Sequence, residues 1–299
     1  MTAPTLNYLS CADASGGHRM AYWQWGDAEN PHVVMCVHGL SRQGRDFDVL
    51  AGYLADQARV ICPDVVGRGQ SDWLKNPMAY QIPQYAADML ALLAHLNQQS
   101  PVTTLDWVGT SMGGLIGMAI AGQPGLPLPA PVNKLVLNDV GPAIEWAAIQ
   151  RIAAYLGKAG HFASLQQAAD AMWAVSRSFG PHTPEQWLDL SRHMVKPVPA
   201  AGDVSVMLHY DPAIAVAVRA ATEESAREGE AQLWALYDKI QAQVLILRGA
   251  ESDLLSEQTA RAMTQRGPRA RLVAFEGVGH APTLVNLDQV NTVGDFLFV

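Results

Sequence analysis

The feature that most restricts the fold of this chain is an alternation. Short apolar runs rich in β-branched residues recur along it, separated by stretches with helical spacing. HRMAYWQWG (18–26) reads as a strand entered through a Gly16-Gly17 turn, and PHVVMCVHG (31–39) as a strand buried on both faces. RDFDVLAGYLADQ (45–57) has helical spacing and RVICPD (59–64) is strand-like. An amphipathic helix, QYAADMLALLAHLNQQ (84–99), precedes the strand TTLDWVG (103–109), which runs into a helix of small residues, MGGLIGMAIAGQ (112–123). KLVLND (134–139), QVLILRGA (243–250) and ARLVAFEGVG (270–279) add three further strands. Strands alternating with helices predict a parallel sheet covered on both faces.

Residues 141–240 break the rhythm. They hold the helical patterns EWAAIQRIAAYL, SLQQAADAMWAVSRS, PEQWLDLSRHMV and AREGEAQLWALYDKI, with no buried strand among them. The expected organisation is therefore an α/β core from 1–140 and 241–299, with a helical insertion over 141–240. The insertion carries Trp146, Trp173, Trp187 and Trp234, together with Met172, Met194 and Met207. QPGLPLPAP and KPVPAAGD read as loops.

With 299 residues, 49% of them hydrophobic, the chain can bury a large core. A net charge of −8 without any Lys/Arg run argues against nucleic acid as a partner. No stretch of about 18 apolar residues is present, so no membrane span is expected. Cys11, Cys36 and Cys62 cannot form a disulfide framework and lack metal-ligand spacing; they read as small buried hydrophobes in a reducing compartment. MTAPTLNYLS has neither a basic leader nor an apolar stretch, so a soluble cytoplasmic protein is expected; monomer and homodimer both stay open.

The chemistry centres on VGTSMGG (108–114), where Ser111 lies between Gly109 and Gly113 at a strand–turn–helix junction. That context suits a strained turn that projects a serine Oγ into a crevice as a nucleophile. A serine hydroxyl is weak and needs a base. His280, in FEGVGHAP beyond the last apolar strand, is the candidate. His95, His161, His182, His193 and His209 read as surface or packing residues. The base in turn needs a carboxylate. Asp253, in LILRGAESDLLS, fits the order Ser…Asp…His, with Glu251 and Asp139 as rivals.

Six segments, VHGL (37–40), DVVGRGQSD (64–72), GTSMGG (109–114), LNDVGP (137–142), RGAESD (248–253) and GVGH (277–280), make the chain resemble an α/β-hydrolase with an inserted helical cap. The resemblance implies an eight-stranded, mostly parallel sheet flanked by helices, with no metal and no cofactor. It also implies an oxyanion hole from the backbone N–H groups of Leu40 and Met112, with His38 holding the loop. Asp64–Asp72 is then architectural. Serine at the elbow argues against haloalkane dehalogenases and epoxide hydrolases, which use aspartate there. HGLSRQGRD departs from the glycine-rich oxyanion loop of C–C hydrolases. The expected activity is hydrolysis of small to medium soluble esters, short hydroxyacyl oligomers or monoesters among them. Enol-lactonases, thioesterases, C–C hydrolases and perhydrolases are alternatives of the same fold, and a non-catalytic small-molecule receptor is one of another class. Arg42 is a candidate anchor for a substrate carboxylate, against an ion pair with Asp46 or Asp48. Trp146 and Trp173 are candidate pocket walls, against simple gluing of helices.

Overall fold

A computed structural model describes residues 3–158, 160–198 and 205–299. Its strands are β1 (Thr5–Cys11), β2 (His18–Trp25), β3 (His32–Val37), β4 (Arg59–Asp64), β5 (Thr104–Thr110), β6 (Val132–Asn138), β7 (His161–Phe162), β8 (Val195–Pro197), β9 (Val206–Leu208), β10 (Gln243–Gly249) and β11 (Arg271–Phe275). The helices are α1 (Asp48–Leu54), α2 (Ile82–Gln99), α3 (Met112–Gly122), α4 (Trp146–Tyr155), α5 (Leu165–Ser176), α6 (Pro184–Arg192), α7 (Ile214–Ala220), α8 (Glu223–Tyr237), α9 (Glu257–Met263) and α10 (Leu287–Phe298).

Eight strands form one sheet in the order β1-β2-β4-β3-β5-β6-β10-β11. All neighbours from β4 to β11 are parallel, and β2 runs antiparallel to both β1 and β4. The apolar runs are continuous because both faces of the sheet are covered. In β3, Val33, Met35 and Val37 enter one core, while Val34 and Cys36 enter the other. Residues of α2, α3, α8 and α9 fill the first layer; those of α1 and α10 fill the second. Strand order reverses at β3, which has β4 on one side and β5 on the other. In an open parallel sheet such a reversal leaves a crevice beyond the carboxyl ends of the strands. The segments His38–Leu40 and Thr110–Ser111 leave the sheet at that point.

One helix of the expected 141–240 insertion lies against the sheet layer. Helix α8 packs on α3, with Gly122 against the Leu236 backbone, and Tyr237 donates to the Met263 carbonyl at 2.7 Å. It is therefore a sheet-flanking helix, and its amphipathic pattern is the same for either kind of partner. Strands β7, β9 and β8 form a small antiparallel sheet that sequence patterning did not anticipate; none of its residues is buried. The loop expected at 196–203 is in part β8, and residues 199–203 lie outside the described residues. Edge strand β1 was also missed, because its mixed burial gives no clean apolar run. Among the described residues no helix is long and apolar enough to cross a membrane.

Candidate active site

Ser111 sits between β5 and α3 with φ 51° and ψ −115°, a conformation L-residues avoid. Such a residue costs on the order of 1–3 kcal/mol, which its surroundings must supply. Its N–H donates to the Asn138 carbonyl at 2.9 Å, and its carbonyl accepts from Gly114 N–H at 2.9 Å. The buried Trp107 indole on β5 donates to the Gly113 carbonyl at 3.0 Å. The flanking glycines are explained by space. A Cβ at Gly113 would overlap the Val37 carbonyl, and one at Gly109 would overlap the backbone of Gly113.

His280 Nε2 lies 3.0 Å from Ser111 Oγ. Its Nδ1 lies 2.7 Å from Asp139 Oδ2. The structure thus pairs the imidazole with Asp139, not with the expected Asp253. Asp139 follows β6 directly, is fully buried, and has φ 55°. It accepts the backbone N–H of Gly249 at 2.9 Å and the Ser252 hydroxyl at 2.6 Å. Three partners, these two donors and the His280 imidazole, therefore fix one carboxylate. Asp253 instead forms a bidentate pair with Arg151 at 2.7 and 2.9 Å, and its side chain is about half exposed (49%). Glu251 is exposed as well. The histidine loop also meets the segment between α5 and α6: Ser178 Oγ donates to the His280 carbonyl at 3.0 Å.

On the other side of Ser111, Gly39 and Leu40 leave β3 at the cavity wall, and Met112 N–H opens helix α3, where first-turn N–H groups have no intrahelical acceptor. His38 is fully buried. Burial, reinforced by the charges of Arg68 and Arg42, pushes its pKa down to about 3 despite a bond to the Gly39 carbonyl. It is a neutral imidazole: Nδ1–H donates to that carbonyl at 2.7 Å and Nε2 accepts Val65 N–H at 2.9 Å. This ring ties the Gly39 carbonyl to the Val65 N–H and does not line the cavity beside Ser111.

Asp64 anchors the same neighbourhood. Burial raises its pKa to about 6, against the N–H groups of Gln70 and Gly44 and the Trp23 indole, which it accepts. Arg68, in the loop expected to be purely architectural, is a residue that sequence reasoning missed. It is fully buried and donates to the carbonyls of Leu40 (2.8 Å) and Val66 (2.7 Å) and toward the Tyr85 hydroxyl (3.1 Å). Its Nη2 lies 3.5 Å from Met112 Sδ. Among the described residues no carboxylate pairs with it. A buried cation that touches both Leu40 and Met112 is thereby built into this wall. The one available signal was an arginine between two glycines directly after a buried strand.

Gly39, Leu40, Ser111 and His280 border a cavity of about 300 Å³. Its walls include Ile152, Phe162, Met172, Val175, Phe179, Met194 and Leu208. The expected tryptophans are elsewhere. Trp173 packs edge-on against Trp187 at 4.9 Å between ring centroids, and Trp146 lines a separate cleft with Trp234. Methionines 172 and 194 reach the cavity, whereas Met207 does not line it. Arg42 lines the cavity, but Asp46 takes its guanidinium at 2.6 and 2.7 Å, and the Leu190 carbonyl takes it at 3.3 Å.

Among the described residues one other cluster has donor atoms suited to a metal: Cys11, His18 and Asp88, mutually within 4.8 Å. His18 lies 2.9 Å from Asp13 through Nδ1 and 3.1 Å from Asp88 through Nε2. Burial lowers its pKa, but hydrogen bonds to Asp88, Cys11 and Asp13 and the Asp88 charge outweigh that and hold it at about 10. An imidazolium has no lone pair to give, so this group reads as a buried ion cluster.

The sequence matches the alpha/beta hydrolase fold family over residues 32–287. A 3-hydroxybutyrate-oligomer hydrolase of Cupriavidus necator is 46% identical over 294 residues, 98% of each chain. A solved alpha/beta hydrolase of Novosphingobium aromaticivorans shares 35% identity at a TM-score of 0.83, covering 99% of each chain. E-2-(acetamidomethylene)succinate hydrolase, 19% identical at a TM-score of 0.78 over 99% of this chain and 100% of its own, is similar in fold alone. Matched over most of its length and carrying the elbow on the expected sheet, the chain belongs to the alpha/beta hydrolase fold family.

Proposed function

We infer that this ester hydrolase uses Ser111 as nucleophile, His280 as general base and Asp139 as the acid that orients it. The observation that carries the reading is the unbroken chain from Ser111 Oγ to His280 (3.0 Å) to Asp139 (2.7 Å) at the cavity wall. Asp139 holds the proton on Nδ1, so Nε2 is free to accept from Ser111 as Oγ attacks the ester carbonyl. The oxyanion moves toward the N–H groups of Leu40 and Met112, whose positions Arg68 sets through Leu40 O and Met112 Sδ. Collapse expels the alcohol, which takes the proton from His280. Water then hydrolyses the acyl-enzyme with His280 again as base. No step calls on a metal or cofactor.

The substrate is a small to medium, soluble ester, and short 3-hydroxyacyl oligomers fit it well. Two things support this: the similarity to the Cupriavidus necator protein along nearly the whole chain, and a cavity of about 300 Å³ capped by the inserted segment α4–α7. A capped cavity of this size suits a cytoplasmic enzyme that meets dissolved esters, not a lipid surface. The test is kcat/KM across p-nitrophenyl esters of rising acyl length and across 3-hydroxybutyrate dimer, trimer and longer oligomers. Expected are a maximum at short to medium chains, turnover of the short oligomers, and a fall of about four to six orders of magnitude in kcat for Ser111→Ala with the fold intact. A rate that climbs steadily with chain length, or jumps above the micellar threshold, contradicts it.

A further inference from the structure

The cavity beside Ser111 differs in charge from the protein around it. The chain as a whole carries −8, with 28 acidic residues against 20 basic ones. Yet the cavity wall holds Arg42, Arg151 and Lys158 and, among the described residues, no carboxylate. Arg42 is neutralised by Asp46. The other two belong together. Arg151 and Tyr155 are four residues apart on α4, and Lys158 follows in the turn after it, its N–H donating to the Tyr155 carbonyl at 3.2 Å; all three line the cavity. These residues lie between β6 and β10, whereas Ser111 and His280 lie on segments that follow β5 and β11.

We propose that Arg151 and Lys158 form a subsite for a free carboxylate, so that the preferred substrate is an ester whose far end is an ionised acid. The inference rests on the ester-hydrolase reading and adds to it the charge of the substrate. Asp253 binds Arg151 through Nε and Nη2, which leaves Nη1 outside that pair and the guanidinium plane fixed. A half-exposed ion pair is worth only about 0–1 kcal/mol, so a substrate carboxylate can share or displace Asp253. Tyr155, between the two cations in the chain, lines the same wall. Short hydroxyacyl oligomers end in such a carboxylate, whereas their alkyl esters do not.

The experiment compares 3-hydroxybutyrate dimer and trimer as free acids with their methyl esters, using wild type, Arg151→Met, Lys158→Met and the double variant. The wild type is expected to favour the free acids, with KM for them rising with salt. Each single variant raises KM for the free acids about 10- to 100-fold, the worth of a charge-assisted hydrogen bond. Methyl-ester turnover moves less than about three-fold, which also reports an intact fold. Equal effects on acid and methyl ester, or none on either, overturn the subsite while leaving the ester-hydrolase reading standing. If the wild type cleaves neither class, the reading itself fails and the subsite falls with it.

Discussion

The loops after β6 and β10 lie side by side at the same end of the sheet, and each carries an aspartate. Asp139 is completely buried and receives the Gly249 N–H, the Ser252 hydroxyl and His280. Asp253, four residues beyond the end of β10, is about half exposed (49%) and reaches outward to Arg151 on α4. The two carboxyls are chemically identical. What separates them is the number of fixed donors around each and the access of water. A carboxylate that must orient an imidazole needs a single geometry, and only the buried one has it. The exposed one is free to serve the insertion instead.

The comparison breaks most directly when each carboxylate in turn is replaced by an amide. On a neutral ester, Asp139→Asn is expected to lower kcat by about four orders of magnitude, because the imidazole is then held in the wrong tautomer. Asp253→Asn should stay within a few-fold. A crippling Asp253→Asn beside a mild Asp139→Asn would reverse the assignment.

A second carboxylate–imidazole pair sharpens the contrast. His18 is gripped at both nitrogens by Asp13 and Asp88, whereas His280 has one nitrogen toward a carboxylate and one toward a serine. The first arrangement suits holding a charge; the second is the geometry that the proposed proton transfer needs. His18→Gln should leave the site's chemistry alone and cost about 3–5 kcal/mol of stability, as expected when a buried ionic partner is removed. The pKa of His18 is raised from 6.5 to about 10, so its contribution is complete below about pH 6.5 and disappears as pH rises through 10. The difference in Tm between wild type and His18→Gln should therefore narrow from pH 7 upward. A difference constant across that range would mean that His18 is not charged in the folded protein.

The smallest expected effect concerns Arg68, a buried cation without a carboxylate partner among the described residues. Arg68→Met should reduce kcat about 10- to 100-fold with KM little changed, less than the loss of an oxyanion donor itself. An effect on KM alone would place Arg68 in ground-state binding, not beside the transition-state charge.

Much of this was legible from the order of residues. A parallel sheet follows from apolar runs of strand length separated by helical patterns, since only a sheet covered on both faces tolerates such runs. The elbow follows from glycines on either side of Ser111, because the backbone there passes too close to Val37 for a Cβ. His280 follows from a lone imidazole in a glycine-flanked loop past the last strand. These are local facts: they depend on which atoms a residue carries and how its neighbours constrain the backbone.

Other matters rest on distances between segments far apart in the chain. KLVLND and RGAESD offer equivalent carboxylates in one dimension, and only the pairing of β6 with β10 buries Asp139 under the Gly249 N–H and exposes Asp253. The helical period of α8 is indifferent to its partner, and it was the fold that set it on α3. Likewise an apolar side chain in the insertion can face a neighbour or a cavity. Tertiary packing turned Trp173 toward Trp187 and left Met172, Met194 and Phe179 to shape the wall beside Ser111. Sequence pattern specifies which faces must be hidden; which surface hides them is decided by the three-dimensional sum of contacts.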